Sequence, residues 1–539
     1  MTGQPINDPS YFAKAETELK DVIDSGVYDL VAQQFYYFFR NSRCVSMVSM
    51  TDKLILRPEI KLKNYTKFHP NYEKVLDEHF ESLIKNEQLS VPGLVVLARR
   101  GAEKYHKAFG MSDLKTGKKM KTDAIFRMFS MTKVLTSFVA LRLYEEGLFD
   151  LEDPVSKYIP SFDRTWEVVV DSERGPESIA YRSFLTGKVL DLNYKRDKSV
   201  RPMLVKHLMS ESSGIEYELF SEYDSFLGGG ICDRNAGLIA NAIRQELHPE
   251  VYRSTCIVGA NLTLEEFVDT IGNAGVLTCE PGEFSYGHGA TVLGRVIEII
   301  YEKSRGTFKK FSEIMSELLF NPLGMSDAAF FLSDGDPKID RVPTLYGAVI
   351  DESGMGTRIA EEQECYPEGV EFRSNQTAHY SGPRSYESGD TGSIMTAEDY
   401  SKFYDMLLRG GLDKNGGRLL SSQGVKTLCK GRFKDLRLDT PLAKAFGVAG
   451  THSPFPKSFN FGWATAHGED HTLRGYATCD HSDMSNWGGY ALTQGFFYPS
   501  EDSYMLVCPQ LMLTTPGAFA FGQTLIRDKS MSVFHSVWN

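Results

Sequence analysis

The run Phe129-Ser130-Met131-Thr132-Lys133 sets a serine and a lysine three residues apart, where an amphipathic helix is expected to begin. Residues three apart share a helix face, so the Lys133 ammonium can lie beside the Ser130 hydroxyl. Desolvated, that lysine would lose its proton and activate the serine as a nucleophile. A chain of this size holds about one or two Ser-x-x-Lys tetrads by accident, and Ser82-Leu83-Ile84-Lys85 is a second. Context separates the two. Ser82 sits in a charged helical stretch, His69 to Glu87, with nothing downstream to complete a site. Ser130 precedes Val134, Leu135, Phe138, Val139, Leu141 and Leu143, an apolar face that closes at Glu145-Glu146-Gly147, glycine being a favoured helix stop. The competing reading makes Ser130 a helix cap and Lys133 a solvated first-turn charge.

The segments that follow favour the first reading. Lys206-His207-Leu208-Met209-Ser210-Glu211-Ser212-Ser213-Gly214, Pro281-Gly282-Glu283-Phe284-Ser285-Tyr286-Gly287-His288, Asn321-Pro322-Leu323-Gly324-Met325, Ser388-Gly389-Asp390-Thr391-Gly392 and Trp487-Gly488-Gly489 occur in that order. With the hairpin-like stretch Leu94 to Asp113 and the Ser130 segment, the chain from Val91 onward resembles the serine beta-lactamase and penicillin-binding-protein-like hydrolases. The class C lactamase and family VIII esterase branch is nearest. The matching family stretches are "HLLTHTSG", "PG-x-x-x-x-Y-S-N", "PLGM" and "Lys-Thr-Gly", the last replaced here by Trp487-Gly488-Gly489.

This resemblance implies roles. Ser130 would attack an acyl carbonyl and form an acyl-enzyme. Lys133 and Tyr286 are both placed to take its proton, and their coupling leaves the base open between them. A lysine charge beside Tyr286 would favour phenolate. The backbone N–H groups of Ser130 and Tyr490 would form the oxyanion hole. His288, Trp487, Gly488 and Gly489 would contact substrate. Departures from the pattern narrow the substrate class. Trp487 supplies no cation for a substrate carboxylate, which favours uncharged acyl groups over lactams and D-amino-acid peptides. His288 replaces the usual asparagine, and Leu492 stands where glycine is common, which is expected to narrow the site. Lys115-Thr116-Gly117 is a decoy in a basic turn ahead of Ser130.

These residues must be positioned by elements from both chain ends. The expected fold is α/β (α+β) and beta-lactamase-like, a mixed or antiparallel sheet flanked by helices. Residues 69–150 and 386–539 would build the sheet domain, residues 151–385 a mostly helical insertion, and residues 1–68 an N-terminal extension. Strands are expected at Leu94–Leu97, Tyr105–Phe109, Phe459–Ala466, Ala491–Tyr498 and Tyr504–Met512. Helices are expected near His69 and over 518–538. In the extension, the aromatic run Val27 to Phe39 is expected to dock, because exposing it would leave a large apolar patch.

The 539 residues carry a formal net charge of −12, which argues against nucleic acid as a partner. The first residues lack a basic and apolar leader and no apolar run is long enough to span a bilayer, so a cytoplasmic enzyme is expected. Eight scattered cysteines without Cys-x-x-Cys spacing read as reduced thiols. No metal or cofactor is expected, since neither a His-Glu-x-x-His nor a nucleotide-binding loop is present. The expected activity is hydrolysis of esters or related acyl compounds through an acyl-serine, with a small-molecule acyl substrate. Acyl transfer by the same site, lactamase or D-aminopeptidase activity, and a weakly catalytic scaffold are the alternatives. A homo-oligomer is left open.

Overall fold

The elements that carry the site are, in chain order, helix α1 (Tyr72–Ile84), strands β1 (Gly93–Arg100) and β2 (Glu103–Asp113), helix α2 (Thr132–Glu145), strands β3 (Glu167–Asp171), β4 (Glu177–Arg182) and β5 (Val189–Lys198), helices α3 (Leu264–Ala274), α4 (Gly289–Arg305) and α5 (Ala397–Leu408), strands β6 (Ser485–Gly488), β7 (Gln494–Tyr498) and β8 (Ser503–Pro509), and helix α6 (Lys529–Ser536). This computed structural model describes residues 67–86, 90–183, 188–217, 235–248, 262–333, 335–350, 357–361, 387–430, 458–460, 463–465, 484–513 and 523–538. All of them belong to one unit, Ile60–Asn539. The aromatic run Val27 to Phe39 lies outside the described residues, as does almost all of the N-terminal extension.

β1 reads Gly-Leu-Val-Val-Leu-Ala-Arg-Arg and is buried along nearly its whole length, as a central strand covered on both faces must be. It pairs antiparallel with β2 on one edge, Val96 opposite Lys107, and with β8 on the other, Leu97 opposite Leu506. The eight-stranded sheet continues through β7 and β6 to two short strands, Ser458–Asn460 and Trp463–Thr465. Both chain ends therefore meet in one sheet. Period-two alternation sends Val95, Leu97, Leu506 and Cys508 to one core and Leu94, Val96, Met505 and Val507 to the other. α1 and α6 cover the second face, through Leu76, Phe80, Met531 and Phe534.

On the first face lies α2, and it is not amphipathic. Every residue from Thr132 to Leu141 is buried, which is the pattern of a helix enclosed by other elements. It packs on the turn Phe129–Met131 and on α4. The remaining helices show ordinary punctuation. α3 begins with a capping box, Thr263 accepting from the Glu266 N–H and Glu266 answering, and stops at Gly275 with φ of 65°.

The segment between α2 and residue 385 is more than helices and loops. It holds a four-stranded sheet in the order β4-β5-β3 followed by Val276–Leu277. Tyr181, Leu192, Tyr194 and Val169 pack beneath it against the helix Ala236–Leu247. Along β5, Leu190, Leu192 and Tyr194 alternate with charged and polar residues on the solvent face, the period-two pattern of a half-buried strand. In the last third, Ala491 and Leu492 belong to a turn ahead of β7 instead of to the strand itself.

Leu97 is fully buried between β2 and β8, so Leu97→Ala is expected to cost about 2–5 kcal/mol. Val200, 84% exposed, is the control, and Val200→Ala should stay within about 0.5 kcal/mol. Urea midpoints at constant slope read both.

Candidate active site

Ser130 occupies a single tight turn, Phe129–Met131, between the short strand Phe126–Arg127 and α2. Phe129 there has φ of 46°, a left-handed conformation costing a bulky residue about 1–3 kcal/mol. Surrounding contacts over-determine it. The Phe129 ring packs with Leu345, Ala491 and Met512, the Met128 N–H donates to Ser393 O at 3.0 Å, and Tyr400 Oη donates to Met131 O at 3.0 Å. The buried Arg127 guanidinium donates to Pro343 O and to Gln510 Oε1, at 2.9 and 3.0 Å. Ser130 is left 8% exposed. Met131, not Ser130, sits at the helix N-cap, with no side-chain cap bond, and Lys133 is wholly buried. Neither capping nor solvation describes this pair. Ser82, by contrast, is exposed on α1 and donates to His79 O, and the Lys115-Thr116 turn folds on Asp113 Oδ1 in solvent.

Tyr286 joins the pair from the segment ahead of α4. Ser130 stands near enough to act on its phenol, and Lys133 Nζ lies 4.6 Å from the centre of its ring. Trp487 completes the group, its indole Nε1–H donating to Tyr286 Oη at 2.9 Å. Burial pushes the Tyr286 phenol up, and the Glu211 charge adds to this, while Lys133, Ser130 and Trp487 pull it down; the balance is upward. Burial works against the Lys133 ammonium, but Tyr286, Glu211 and Asp390 outweigh it, and its pKa stands above the ordinary lysine value. Desolvation alone therefore does not neutralise Lys133.

Those carboxylates are the functional residues that motif order did not single out. Asp390 is fully buried. Tyr217 Oη donates to its Oδ2 at 2.6 Å, Thr291 and Ser388 donate to Oδ1, and His288 Nδ1 stands 3.3 Å from Oδ2. Burial would raise this carboxyl, but the nearby His288 ring, the Lys133 charge and the Ser388 hydroxyl hold it well below the usual carboxylate range. Tyr217 also accepts from Lys133 Nζ at 3.1 Å, and Lys133 donates to Asp390 O at 3.3 Å. Tyr217 thus bridges cation and anion. Burial and the Asp390 charge push its phenol far up, so it stays a neutral donor. The His288 ring stands edge-on to Tyr217 at 4.6 Å, which places it against the carboxylate anchor. Glu211 could have been found in the sequence, since it occupies the second histidine of "HLLTHTSG". Tyr217 lies outside any quoted motif and left no such signal.

Two glycines bring the sheet edge and the tyrosine segment into place. A Cβ on Gly489 would stand 2.4 Å from Met128 O and 3.2 Å from Phe129 Cβ, so β6 ends in backbone contact with the nucleophile turn. A Cβ on Gly287 would stand 1.8 Å from Ile215 O, which is where the Tyr286 strand crosses the segment leading to Tyr217. Gly488 lies one residue before Gly489 on β6, and Tyr490 follows it with its ring 6.0 Å from Phe129. Leu492 does not narrow the site. It closes the Gly489–Leu492 turn with φ of 62°, and its side chain enters the core on the far face of the sheet. Among the described residues no group of three or more His, Cys, Asp or Glu side chains could hold a metal ion.

The Beta-lactamase sequence profile matches residues 76–520. The chain belongs to the beta-lactamase family. Protein Rv1367c of Mycobacterium tuberculosis is 25% identical over 330 residues, 60% of this chain and 64% of that protein, so the match spans less than two thirds of the mycobacterial relative. Esterase EstB of Burkholderia gladioli is 25% identical over 330 residues, 60% of this chain and 67% of its own. In three dimensions this beta-lactamase family member is similar to EstCE1, described as a hydrolase with promiscuous acyltransferase activity, with a TM-score of 0.54 at 20% identity over 84% of this chain and 97% of the other. That likeness establishes the beta-lactamase fold.

Removing the Trp487 donor in Trp487→Phe should raise the Tyr286 pKa and move the rising limb of a pH–acylation profile upward by about one unit. In Asp390→Asn the buried Lys133 cation loses its counter-charge, at a cost of about 3–5 kcal/mol. Because the folded Asp390 pKa is depressed, its contribution is complete above the unfolded value of about 3.9 and is lost as pH falls below it. The melting-temperature gap between wild type and Asp390→Asn should therefore close on acidification.

Proposed function

We propose that this protein is a cofactor-independent serine hydrolase that cleaves uncharged esters through an acyl-Ser130 intermediate. The observation that carries this is the grouping around one buried phenol, that of Tyr286: the Trp487 indole donates to its oxygen at 2.9 Å, Lys133 Nζ lies 4.6 Å from its ring centre, and Ser130 acts on its pKa. A serine hydroxyl needs a base within hydrogen-bond reach, and the nearness of Tyr286 and Lys133 supports that pair in the role. With both groups protonated the pair cannot accept a proton. Loss of one proton creates the base, whether written as phenolate beside ammonium or phenol beside amine, so activity rises with pH.

In the forward step Ser130 Oγ bonds to the acyl carbon while its proton passes to Tyr286. The tetrahedral oxyanion is met by the backbone N–H groups of Ser130 and Tyr490. As the C–O bond to the leaving alkoxide breaks, the proton returns to that oxygen. Water then repeats the sequence in reverse on the acyl-enzyme. Lys133 holds the charge of the phenolate form, and Asp390 with Tyr217 holds Lys133.

Trp487 favours esters over lactams and D-amino-acid peptides. Its indole faces Tyr286 at 5.5 Å between ring centres and presents an aromatic edge where a substrate carboxylate would need a cation. Transfer of the acyl group to an alcohol or amine uses the same intermediate and is the second reading; a lactamase, a D-aminopeptidase and a scaffold are the readings left behind. The free thiols of Cys279, Cys429 and Cys508 support a reducing, cytoplasmic setting, and no helix among the described residues is long and apolar enough to cross a membrane.

Incubation with a panel of p-nitrophenyl esters, followed by product release and intact mass, is the test. Wild type should turn over with a transient acyl adduct, and Ser130→Ala should show neither. Tyr286→Phe should lose about 10²–10⁴-fold. Equal background signals from wild type and Ser130→Ala would overturn the assignment, and partition of the adduct between water and added alcohol would decide the acceptor.

A further inference from the structure

The site buries one cation and two carboxylates, Lys133, Asp390 and Glu211. Only one of the carboxylates is matched by charge. Asp390 has hydroxyl donors on both oxygens. Glu211, 1% exposed, accepts a single bond through Oε2, from the Gly287 N–H at 3.0 Å. Its Oε1 is buried without a hydrogen-bond partner among the described residues, so its ionised form is under-solvated. Its backbone stands in a left-handed conformation, φ 48°, in the turn that holds Tyr286: Glu211 O accepts from the Ser285 N–H at 2.8 Å. Glu211 therefore grips the residues on both sides of Tyr286, by backbone and by side chain. The Tyr217 N–H fastens Tyr286 O at 3.1 Å.

We propose that Glu211 is a positioning residue that clamps the Tyr286 segment and, through its charge on Tyr286 and Lys133, sets the pH at which Ser130 becomes able to react. This rests on Ser130 being the nucleophile. The groups that face Glu211 are Lys133 from α2, Asp390 from the segment before α5, Tyr286 from the segment before α4 and Tyr217 from its own, with His288 behind Asp390. Burial, more than the opposing pull of Lys133 and the Gly287 N–H, pushes the Glu211 carboxyl up to about 7. Below that pH it is neutral. Above it, the new anion makes both Tyr286 and Lys133 hold their protons more tightly and opposes the deprotonation that serine attack requires.

Glu211→Gln keeps an acceptor for the Gly287 N–H and removes the charge; Glu211→His restores the residue of the family stretch. Ser130 labelling by a fluorophosphonate is followed against pH: the Oγ–P bond forms, fluoride leaves, and the serine proton passes to the Tyr286–Lys133 pair. The rising limb should move to lower pH by about one unit in Glu211→Gln, a shift that a purely structural clamp would not produce. Independently of labelling, the folded Glu211 pKa exceeds the unfolded one, so wild type loses stability as pH rises between about 4.3 and 7. The melting temperature of Glu211→Gln should therefore gain on wild type across that range. Coincident limbs in a folded variant would overturn the proposal, as would a melting-temperature gap that ignores pH. Failure of both variants to fold would overturn it too, by leaving Glu211 a structural load alone. No labelling of wild-type Ser130 at any pH, with Ser130→Ala equally inert, would sink the nucleophile reading and this proposal with it; labelling with coincident limbs would sink only the proposal.

Discussion

Burying the Lys133 ammonium at the foot of Ser130 is the constraint on which the rest of the site depends. A lone cation there would be forced to give up its proton or to unfold the helix around it. Asp390 prevents both, and Tyr217 lies between them, accepting from the lysine and donating to the carboxylate. The hydroxyls of Thr291 and Ser388 take up the other Asp390 oxygen. The arrangement draws on α2, the segment after residue 210, α4 and the segment before α5, so four stretches far apart in sequence must be folded before the charge is balanced. Chemistry and stability share the same bonds here.

Around that pair the protein spends geometry on a single oxygen. Strain at Phe129 lifts Ser130 out of the helix, and Gly489 lets β6 approach the turn that carries it. The same strand end carries Trp487, whose indole replaces a cationic side chain and donates to Tyr286 instead of to a substrate carboxylate. One residue thus changes both the charge at the mouth of the pocket and the proton affinity of Tyr286, because in a dry pocket a donor aimed at phenolate is worth more than the same donor in water.

The departures from the family pattern form a set. Trp487, His288 and Glu211 each replace a residue of a quoted motif; Trp487 touches the tyrosine, Glu211 holds the residues on either side of it, and His288 stands against the acid that balances the lysine. A neutral indole removes positive charge from the mouth of the site, while two buried carboxylates add negative charge around the one cation that remains. The shared proton of Tyr286 and Lys133 is consequently held more tightly than motif analogy alone would suggest.

Sequence by itself determined that Ser130, Lys133 and Tyr286 would be brought together, the sheet built from both chain ends, and the tryptophan where a cation is usual, because each is written as a local motif in a fixed order. It also carried Glu211, at the histidine of a stretch whose other positions match. Only the tertiary structure decided what balances Lys133: Tyr217 and Asp390 lie 84 and 257 residues from it, and a protonation state is fixed by such spatial neighbours, not by sequence spacing. The same reason governs the errors of orientation. Leu492 turned to the far core because the Gly489 turn reverses the chain, and β4 and β5 carry the alternation of half-buried strands, Ile179 and Tyr181 in one and Leu190, Leu192 and Tyr194 in the other, while the partner of that apolar face, the helix Ala236–Leu247, is decided only by packing.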